Sequence, residues 1–479
     1  MSGASTSSRA LNVAIIGAGP AAFYAAEALL RDGPEDIRVD MFDRLPTPFG
    51  LVRHGVAPDH QKIKTVTRAF SQVAEDPRFR FFGNVEFGRD ISLDDIRAHY
   101  HQVLFATGAQ TDRRMGIPGE DLRGSHPATA FVAWYNGHPD FQDCSFDLSQ
   151  ERVAVVGVGN VAVDVARILC LSRQELERTD MPRRVIEALA ASRVREVHLL
   201  GRRGPAQAAF TTPELKELGE LAEADLIIRP EEAALDDLSR AELEASGDRI
   251  LRRKVQMIQE FAARAPAGKK RQLFLRFLVS PVELVDDGTG GVGSLRLVRN
   301  RLVATDSGTL AAEPTGDFET LPAGLVFRSV GYRGVALPGV PFHERWGVIL
   351  NQGGRVLDEV TNQPIPGMYT SGWIKRGPSG VIGTNKPDSL ETVAAMIADA
   401  AAGRTFTPDR SPLIDYPARI EAAGGRCVTF ADWRRIDAVE QALGAREGRQ
   451  RAKLASIDEM FACLDAAGDG TSQVAAAAG

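Results

Sequence analysis

A glycine-rich turn near the start of the chain has the residue types that bind a dinucleotide. Residues 17–21 read GAGPA, and they follow the apolar segment Leu11–Ile16 and open a segment of helical composition. The first glycine of such a turn permits a tight bend, the second lets the backbone approach a pyrophosphate, and a small third residue lets helix and strand pack closely. The free N–H groups and the positive end of the helix then face the phosphates. Gly17, Gly19 and Ala21 are therefore predicted to bind a first dinucleotide.

An acidic residue follows the next predicted strand, where a dinucleotide fold binds ribose hydroxyls. Asp43 comes directly after the apolar run Val39–Phe42, and it is expected to accept hydrogen bonds from the ribose. A glycine turn alone also occurs in proteins without such a ligand. The combination of strand, glycines, helix, strand and acid is much more specific for nucleotide binding.

A second turn of the same kind lies in the middle of the chain. Residues 157–162 read GVGNVA between a predicted strand and a predicted helix, and after the later strand Val197–Leu200 two arginines stand where an acid would select NAD. Guanidinium groups at that position suit the 2′-phosphate of NADP(H) through charge-assisted, often bidentate hydrogen bonds. A solvated basic loop is the alternative. The predicted NADP(H) contacts are Gly159, Asn160, Val161, Ala162, Arg202 and Arg203.

Two dinucleotide turns in one chain separate the possible classes of enzyme. A simple NADP dehydrogenase needs one turn, whereas two turns indicate a retained dinucleotide, FAD, and a visiting NADP(H). The apolar segments at residues 101–108 and 325–332 both end in glycine turns. Strands of this kind return the chain between the domains of two-dinucleotide flavoproteins, although each could also be ordinary core.

The elements that must position these residues alternate between strand-like and helix-like runs. This alternation predicts an α/β fold with parallel sheets, and 479 residues are too many for one compact domain. The segment 172–193 is longer than a crossover needs and predicts extra helical structure, broken at Met181-Pro182. Asp286–Ser294 predicts a hairpin turn, and the composition becomes helical and polar after Ala400. The two ends, Met1–Ala10 and Ala475–Gly479, are expected to be disordered.

Composition and charge remove several classes of function. Apolar residues make up 44% of the chain and charged residues 25%, and the net charge of −6 is the opposite of what a nucleic-acid-binding protein usually carries. No apolar run reaches the length of a transmembrane helix, so membrane association is not expected. The four cysteines, Cys144, Cys170, Cys427 and Cys463, are isolated. They predict no metal site and indicate a reducing cytoplasm.

The isolated cysteines also exclude two kinds of flavoprotein. Disulfide reductases of the thioredoxin reductase type need a redox cysteine pair at close spacing, and the electron-input subunit of glutamate synthase carries cysteine clusters for iron–sulfur centres. Neither pattern is in this chain. On the two turns alone, a flavin monooxygenase, another NADPH-dependent diaphorase and a non-catalytic NADP(H)-binding sensor remain as alternatives.

Longer strings carry a resemblance to a known family. They are FGLVR at 49–53, GVAPDH at 55–60, FGNV at 82–85, DVAR at 164–167, GRRGP at 201–205 and SGWIKRGPSGVI at 371–382. The sequence strongly resembles the adrenodoxin-reductase-like family of ferredoxin–NADP⁺ reductases over roughly residues 11–465. Thr384-Asn385-Lys386 stands where the mitochondrial branch has a threonine run, which favours the bacterial branch.

The resemblance implies two Rossmann-like dinucleotide-binding domains and a reaction. A discontinuous FAD domain would comprise residues 1–108 and 337–479, with an NADP domain, residues 109–336, inserted between its halves. The implied reaction is FAD-mediated electron transfer between NADPH and a ferredoxin-type iron–sulfur protein. The implied FAD contacts are Ala21, Asp43, Leu51, Val85, Trp373, Gly380, Val381 and Ile382, and the implied NADP contacts are residues 159–162, Arg202, Arg203, Glu214 and Gly380. Asp43 stands where a longer glutamate is common, and Gln61 where proline is common.

The resemblance also implies which residues act on the nicotinamide and flavin rings. His60 would tune flavin protonation or position the nicotinamide, and Asp164 and Glu214 would lie on the NADP side as further catalytic candidates. Each has a structural alternative: a packed histidine, a helix-capping aspartate or a solvated glutamate. Gly380 has no side chain, which would let the nicotinamide approach the flavin closely.

An acidic ferredoxin would need a basic surface on its reductase, effective at long range and sensitive to salt. One basic run supplies candidates, and a second lies nearby in sequence. The candidates are Arg249, Arg252, Arg253 and Lys254, with Lys269, Lys270 and Arg271 in the second run. The alternative is a solvated helix face.

Overall fold

Short apolar runs form the strands of two mainly parallel sheets in this computed structural model, which describes residues 10–410 and 416–468. All five residues of the strand Asn12–Ile16 are buried, and so are the last four of Arg152–Val156. Strands of this composition arise where helices cover both faces of a parallel sheet, so that no side of the strand faces water.

The strands in chain order are β1 (Asn12–Ile16), β2 (Arg38–Asp43), β3 (Phe79–Gly83), β4 (Gln102–Phe105), β5 (Thr111–Asp112), β6 (Ser125–Pro127), β7 (Arg152–Val156), β8 (Glu196–Leu200), β9 (Ala224–Ile227), β10 (Arg271–Arg276), β11 (Val279–Asp286), β12 (Val292–Ala304), β13 (Leu310–Pro322), β14 (Leu325–Arg328), β15 (Tyr332–Arg333), β16 (Phe342–His343), β17 (Val348–Ile349), β18 (Asn351–Gln352), β19 (Arg355–Leu357), β20 (Pro364–Thr370) and β21 (Val428–Thr429).

The helices in chain order are α1 (Pro20–Asp32), α2 (Leu51–His54), α3 (Gln61–Lys64), α4 (Thr67–Ala74), α5 (Leu93–His99), α6 (Ala128–Tyr135), α7 (Asn160–Cys170), α8 (Arg173–Leu176), α9 (Arg183–Ala190), α10 (Thr212–Gly219), α11 (Pro230–Ala233), α12 (Asp237–Ser246), α13 (Arg249–Ala262), α14 (Trp373–Arg376), α15 (Asn385–Ala401), α16 (Tyr416–Ala422), α17 (Phe430–Arg446) and α18 (Ile457–Gly468).

The first sheet has the strand order β18-β19-β20-β4-β1-β2-β3-β21. Its centre is parallel, because β1 pairs in parallel with both β2 and β4, while β2 continues to β3 and β4 to β20. The strands at both edges are antiparallel. The turn between β1 and α1 therefore lies at the carboxyl edge of the parallel strands, where open α/β sheets bind their ligands.

The second sheet has the order β6-β14-β7-β8-β10-β9, and each neighbouring pair runs parallel. An antiparallel sheet, β11-β12-β13, follows β10 in the chain. The chain passes from the first sheet to the second and back through two segments that pair with each other as β5 and β15, with Tyr332 opposite Asp112. These paired segments form a double connection between the two sheets.

The predicted fold class, α/β with two Rossmann-like units, is confirmed. The predicted strands at residues 11–16, 39–42, 103–106, 153–156 and 197–200 correspond to β1, β2, β4, β7 and β8 within one residue at either end. The extra helical segment 172–193 forms α8 and α9, which are separated around Met181-Pro182, and the predicted hairpin turn joins β11 to β12. The terminal segments 1–9 and 475–479 lie outside the described residues.

In residues 10–410 and 416–468, no helix combines the length and the apolar character needed to cross a lipid bilayer.

A buried ion-pair cluster ties the start of the chain to its C-terminal helices. Glu440 on α17 is 0% exposed, and its carboxylate accepts hydrogen bonds from Arg53 at 2.9 and 2.5 Å and from Arg451 at 2.7 Å. The backbone N–H of Leu454 donates to the same carboxylate at 2.9 Å. Four donors thus satisfy a carboxylate that would otherwise be very costly to bury.

Replacing Glu440 with alanine is expected to destabilise the protein by about 3–5 kcal/mol, because Arg53 would remain buried without its partner. Urea unfolding followed by far-UV circular dichroism measures the loss. The control is Glu75→Ala, since Glu75 pairs with Arg434 between two exposed side chains, and a pair of this kind contributes less than about 1 kcal/mol. Equal changes in the two variants would contradict this account of the cluster.

Candidate functional site

The first glycine turn has the shape of a pyrophosphate site. Gly17 has a φ of 101°, and a Cβ atom there would lie 2.6 Å from the carbonyl oxygen of Ala106. No atom lies within 4 Å of the Cβ position of Gly19, so the space beside it is open. The helix α1 begins at Pro20, and no side chain caps its N-terminus. Its first N–H groups and this open space fit the diphosphate of FAD.

Asp43 closes this site from the end of β2. Its carboxylate accepts hydrogen bonds from the backbone N–H groups of Ala18 at 2.8 Å and Leu45 at 2.9 Å, and the backbone N–H of Val85 donates to the Asp43 carbonyl. Each carboxylate oxygen keeps a second lone pair that a ribose hydroxyl can use. Burial raises the pKa of Asp43 even though both backbone donors and Arg44 favour the charged form.

Two other segments predicted to contact FAD reach the same turn. The backbone N–H of Phe49 donates to the carbonyl of Ala18 at 2.8 Å, which brings the following Leu51 to the turn. The segment that carries Trp373 is held by α15, because Asp388 accepts a hydrogen bond from the N–H of Gly372 at 2.6 Å. The neighbouring Ser389 donates to the carbonyl of Ala21 at 2.9 Å.

The predicted Gly380–Ile382 contact lies in the loop that follows Trp373. The indole N–H of Trp373 donates to the carbonyl of Ser379 at 3.1 Å, which fixes the ring against the start of this loop. Gly380 and Val381 are exposed, while Ile382 packs against the core under the first sheet. The ring of Tyr332, on the double connection, lies 5.5 Å from the Trp373 ring. The start of this loop therefore lies beside the double connection, and its end packs on the first sheet's core.

The second glycine turn repeats the geometry of the first. Gly157 has a φ of 129°, a Cβ on it would collide with the Ser329 carbonyl, and Gly159 again borders open space. The helix α7 begins at Asn160 without a side-chain cap, and Val161 and Ala162 complete its first turn. The Asn160 side-chain oxygen instead accepts a hydrogen bond from the N–H of Thr211 at 2.9 Å, which ties this turn to the start of α10.

Arg202 and Arg203 stand beside this second turn. The N–H of Gly157 donates to the carbonyl of Leu200 at 2.9 Å, so the end of β8 and the turn are adjacent. Among the residues that the structure describes, neither Arg202 nor Arg203 forms an ion pair with an acidic side chain. Two guanidinium groups without a protein counter-ion beside an uncapped helix fit the 2′-phosphate of NADP(H).

A cluster of charged residues lies where the two sheets meet. The Nε2 atom of His60 lies 2.9 Å from Oε2 of Glu217 on α10. Arg167 on α7, with a side chain that is 3% exposed, contacts this glutamate at 3.4 Å, Asp164 at 2.9 Å and Asp59 at hydrogen-bond distance. One buried guanidinium therefore joins the loop before His60 to two helices of the second sheet.

The cluster changes the proton affinity of its members. Burial and Arg167 both oppose protonation of His60, but the hydrogen bond that the ring donates to Glu217, together with the charges of Asp164 and Asp59, outweighs them and raises the pKa of His60. Burial raises the pKa of Asp164 against the attraction of Arg167 and His60. Burial also raises the pKa of Glu214, with help from Asp164 and Glu217. All three predicted catalytic residues thus lie within electrostatic range of one another.

Comparisons with known proteins agree with this geometry. The family model for pyridine nucleotide-disulphide oxidoreductases matches residues 11–200. The NADPH-ferredoxin reductase FprA of Mycobacterium tuberculosis is 46% identical over 460 residues, which cover 94% of this chain and 98% of that protein. The human mitochondrial NADPH:adrenodoxin oxidoreductase is 41% identical over 471 residues, which cover 96% of this chain and 93% of that protein. This chain belongs to the NADPH-ferredoxin reductase family.

A solved structure of the family matches the whole fold. The structure of Mycobacterium tuberculosis FprA in complex with NADPH has a TM-score of 0.87 to this chain at 45% sequence identity, and the match covers 95% of this chain and 100% of the other. The resemblance inferred from the sequence motifs is therefore confirmed.

The structure places beside His60 a glutamate that was not among the site residues predicted from the sequence. Glu217, rather than Glu214, contacts His60, although both lie on α10. The Oε2 atom of Glu214 is buried and has no hydrogen-bond partner within the described residues. The two glutamates are three residues apart and so share a helix face. The spacing of three residues between Glu214 and Glu217 is the sequence signal that could have found Glu217. Asp164 and Arg167 have the same spacing on α7.

The basic residues predicted to bind a ferredoxin divide into two groups. Arg249, Arg252 and Arg253 are exposed on α13. Lys254 is not available for docking, since it is buried and its ammonium donates to the carbonyl of Ala208 at 2.5 Å and lies over the Phe210 ring. Helical periodicity explains this, because Lys254 falls on the inner face of α13, beside Val255, Met257 and Ile258.

The second basic run also differs from the prediction. Lys269–Arg271 lies at the amino end of β10, which runs parallel to β8 and therefore places these residues at the sheet edge opposite the glycine turn. Lys269 donates to the carbonyl of Leu221, and Lys270 and Arg271 pair with Glu223. Although these residues follow α13 closely in sequence, the length of β10 separates them from the second glycine turn.

Replacing Glu217 with glutamine is expected to lower the pKa of His60, because burial and Arg167 would then act without the opposing carboxylate. His60 has a raised pKa in the folded protein, so its stabilising contribution is present below the unfolded value near 6.5 and is lost as the pH rises through the folded value. The stability difference between the native protein and the variant should therefore be largest at low pH.

NMR titration of the His60 ring and thermal unfolding between pH 5 and 9 measure both effects. Glu220→Gln is the control, because Glu220 lies on the same stretch of chain but is exposed and pairs with Lys216. The same His60 titration in the native protein and in Glu217→Gln would contradict the coupling.

Proposed function

We propose that this protein is an FAD-dependent ferredoxin–NADP⁺ oxidoreductase that transfers electrons from NADPH to a ferredoxin-type iron–sulfur protein. The observation that carries the proposal is the pair of uncapped glycine turns, one closed by Asp43 and the other flanked by Arg202 and Arg203, on either side of the His60–Glu217 contact. Relatives named NADPH-ferredoxin reductase and NADPH:adrenodoxin oxidoreductase, matching nearly full length, support it.

The proposed cofactor assignment follows the two sheets. We assign residues 1–108 and 337–479 to FAD binding and residues 109–336 to NADP(H) binding. The first turn, with Asp43, Leu51, Val85 and the Trp373–Ile382 loop, would hold FAD. The second turn, with the two arginines and Glu214, would hold NADP(H), and Gly380 would border both. The flavin, when bound, accepts an electron pair from NADPH and returns the electrons one at a time.

The residues of the junction orient the two nucleotides and manage one proton. His60, with Nε2 on Glu217, holds a proton at that atom while Glu217 and Arg167 fix the direction of the ring. Asp164 and Glu214 have raised pKa values, so each can take up a proton more readily than an exposed carboxylate. The indole of Trp373, which donates to the Ser379 carbonyl, would cover one side of the site.

The proposed docking surface is the exposed face of α13. Arg249, Arg252 and Arg253 lie on it around Ile250, which is 72% exposed. An exposed apolar side chain among cations suits an acidic partner that contributes one apolar contact, and the charges would accelerate its approach. This helix packs on α10, which carries Glu214 and Glu217, so the surface is one helix away from the site.

A cytoplasmic location is consistent with the cysteines. Cys144, Cys170, Cys427 and Cys463 are all unpaired in the structure. Burial raises the pKa of the Cys170 and Cys427 thiols to about 12, which leaves them as thiols of low reactivity at neutral pH. Unpaired thiols of this kind suit a reducing compartment.

The reaction is tested by mixing the FAD-loaded protein anaerobically with NADPH or with NADH in a stopped-flow spectrophotometer. NADPH should bleach the flavin far faster than NADH does, and added ferredoxin should then be reduced. The variant Arg202→Ala/Arg203→Ala should lose on the order of a hundredfold of this preference, since each charged hydrogen bond contributes about 1.5–3 kcal/mol.

A matched control uses the other end of the same strand. Arg193 and Arg195 precede β8, are exposed and lie near Glu151; their double alanine variant should keep the preference for NADPH. An unchanged preference in the Arg202/Arg203 variant would place the 2′-phosphate elsewhere. Absence of flavin bleaching in the native protein would overturn the proposed function itself.

Charge reversal on α13 tests the docking surface. Arg249→Glu/Arg252→Glu should raise the KM for ferredoxin on the order of tenfold at low ionic strength, with a smaller effect at high salt. NADPH-dependent reduction of ferricyanide should not change. Lys270→Glu, at the opposite sheet edge, is the control. Equal KM values for both charge-reversed proteins would show that the ferredoxin binds another surface.

A further inference from the structure

A buried aspartate beside the second sheet contacts the chain both before and after His60. Asp180 lies in the extra segment between α8 and α9, and its backbone N–H donates to the carbonyl of Pro58 at 3.2 Å, two residues before His60. Its carboxylate accepts a hydrogen bond at 2.6 Å from Lys64, four residues after His60. The side-chain amide of Gln61 also donates to the Pro58 carbonyl, at 2.7 Å.

A segment from the far end of the chain holds Asp180 in turn. Lys453 is 1% exposed, and its ammonium lies 3.2 Å from the Asp180 carboxylate. The same ammonium donates to the carbonyl of Arg53 at 2.8 Å and to the side-chain oxygen of Asn136 at 3.1 Å. Lys453 thus contacts the first sheet's loop, the second sheet's α6 and Asp180 at once.

Arg449 fixes the backbone on either side of Asp180. Its guanidinium donates to the carbonyl of Thr179 at 3.1 Å and to that of Met181 at 2.5 Å. The residues flanking Asp180 are therefore held by Arg449, just as the residues flanking His60 are held by Asp180. Residues 449–453, the segment 179–181 and the His60 loop form one continuous chain of contacts across the sheet junction.

A cluster of this composition is a costly way to gain stability. Two ammonium groups share one carboxylate out of water, and apolar residues of similar volume usually stabilise such a site as well or better. What buried ionic groups supply instead is a specific geometry, because only one arrangement satisfies their hydrogen bonds. At this junction, the geometry being specified is that of the loop which carries His60 to Glu217.

We propose that Asp180 and Lys453 are positioning residues that set the orientation of His60 toward Glu217 and thereby the rate of flavin reduction by NADPH. The proposal rests on the proposed function, since it acts through His60. It gives the long segment 172–193 and the C-terminal segment after α17 a role in the reaction, although neither touches the glycine turns.

The test compares Asp180→Asn/Lys453→Met with the native protein, both loaded with FAD. This double variant removes one positive and one negative charge, and neither residue is among the charged groups that act most on His60, so a shift of the profile points to changed geometry. The groups that face His60 are Asp59, Asp164, Arg167, Glu214 and Glu217, and all of them remain. The limiting rate of flavin reduction by NADPH is measured by stopped flow from pH 5 to pH 9.

The double variant should move the midpoint of this pH profile downward, in the direction expected for Glu217→Gln. It should also lower the limiting rate on the order of tenfold to a hundredfold, because a displacement of about 1 Å at a reacting group has effects of that size. In a protein that already carries Glu217→Gln, the same two changes should have little further effect. The single variant Asp180→Glu keeps the charge, so its limiting rate of flavin reduction should lie between those of the double variant and the native protein.

The matched control is Asp437→Asn/Arg451→Met, which removes the 2.5 Å pair between these residues and the hydrogen bond from Arg451 to Glu440, in the same C-terminal region, without touching Asp180. It should lower the melting temperature and leave the pH profile in place. If the Asp180/Lys453 variant behaves like this control, with full FAD content and an unmoved profile, its role is purely structural and the proposal is wrong.

A milder variant covers the case in which the double variant does not fold. Lys453→Gln keeps a donor for the Arg53 carbonyl and leaves Asp180 paired one to one with Lys64. Loss of a cation by itself would raise the pKa of His60. A downward shift of the pH profile would therefore still identify a change in the geometry of His60. Any other result would overturn the proposal. If Glu217→Gln itself leaves the profile unmoved, the proposed role of His60 fails first.

Discussion

The need to bury charge between two sheets governs the arrangement of this reductase, and Arg167 satisfies that need at the centre. Its guanidinium contacts Asp59, Asp164 and Glu217 at the point where a loop of the first sheet meets two helices of the second, and its single charge offsets part of theirs. Without it, the largely buried Asp164 would face two further carboxylates with no cation between them, which is unfavourable. Because Asp59 immediately precedes His60, the ion pair between Arg167 and Asp59 also positions the histidine.

The two nucleotide sites are built alike but differ in the charge at the strand end. In both, a glycine with positive φ lets the turn pass close to a neighbouring carbonyl, and an uncapped helix leaves its first N–H groups for a diphosphate. In the proposed assignment, Asp43 accepts hydrogen bonds from ribose hydroxyls in the first site, whereas Arg202 and Arg203, which form no ion pair within the described residues, contact the 2′-phosphate in the second. Under this proposal, the sign of the charge after the second strand of each unit distinguishes the ribose-binding site from the phosphate-binding one.

Two segments that a Rossmann fold does not require lie at the junction between the two sheets. A Rossmann crossover needs one helix, yet two short helices and the Thr179–Met181 turn follow α7, and an irregular segment follows α17. These additions meet at Asp180, Lys453 and Arg449, and they bring buried charge rather than apolar area to the contact. Ionic groups in such a place restrict the relative placement of two rigid sheets more narrowly than apolar side chains would, because hydrogen bonds have direction.

The amino-acid sequence by itself determined the α/β class, the two glycine turns, the acid and the arginines behind them, and the family, since these are local patterns that sit in a few consecutive residues. It also led to His60, Asp164 and Glu214 as candidates. Only the tertiary structure decided that Glu217 meets His60, that Lys254 faces inward and that Lys269–Arg271 lies at the opposite sheet edge. The periodicity of α13 is compatible with an inward Lys254, but which residues meet depends on how the elements pack: the contact between His60 and Glu217 joins positions more than a hundred residues apart, and the place of Lys269–Arg271 follows from strand direction.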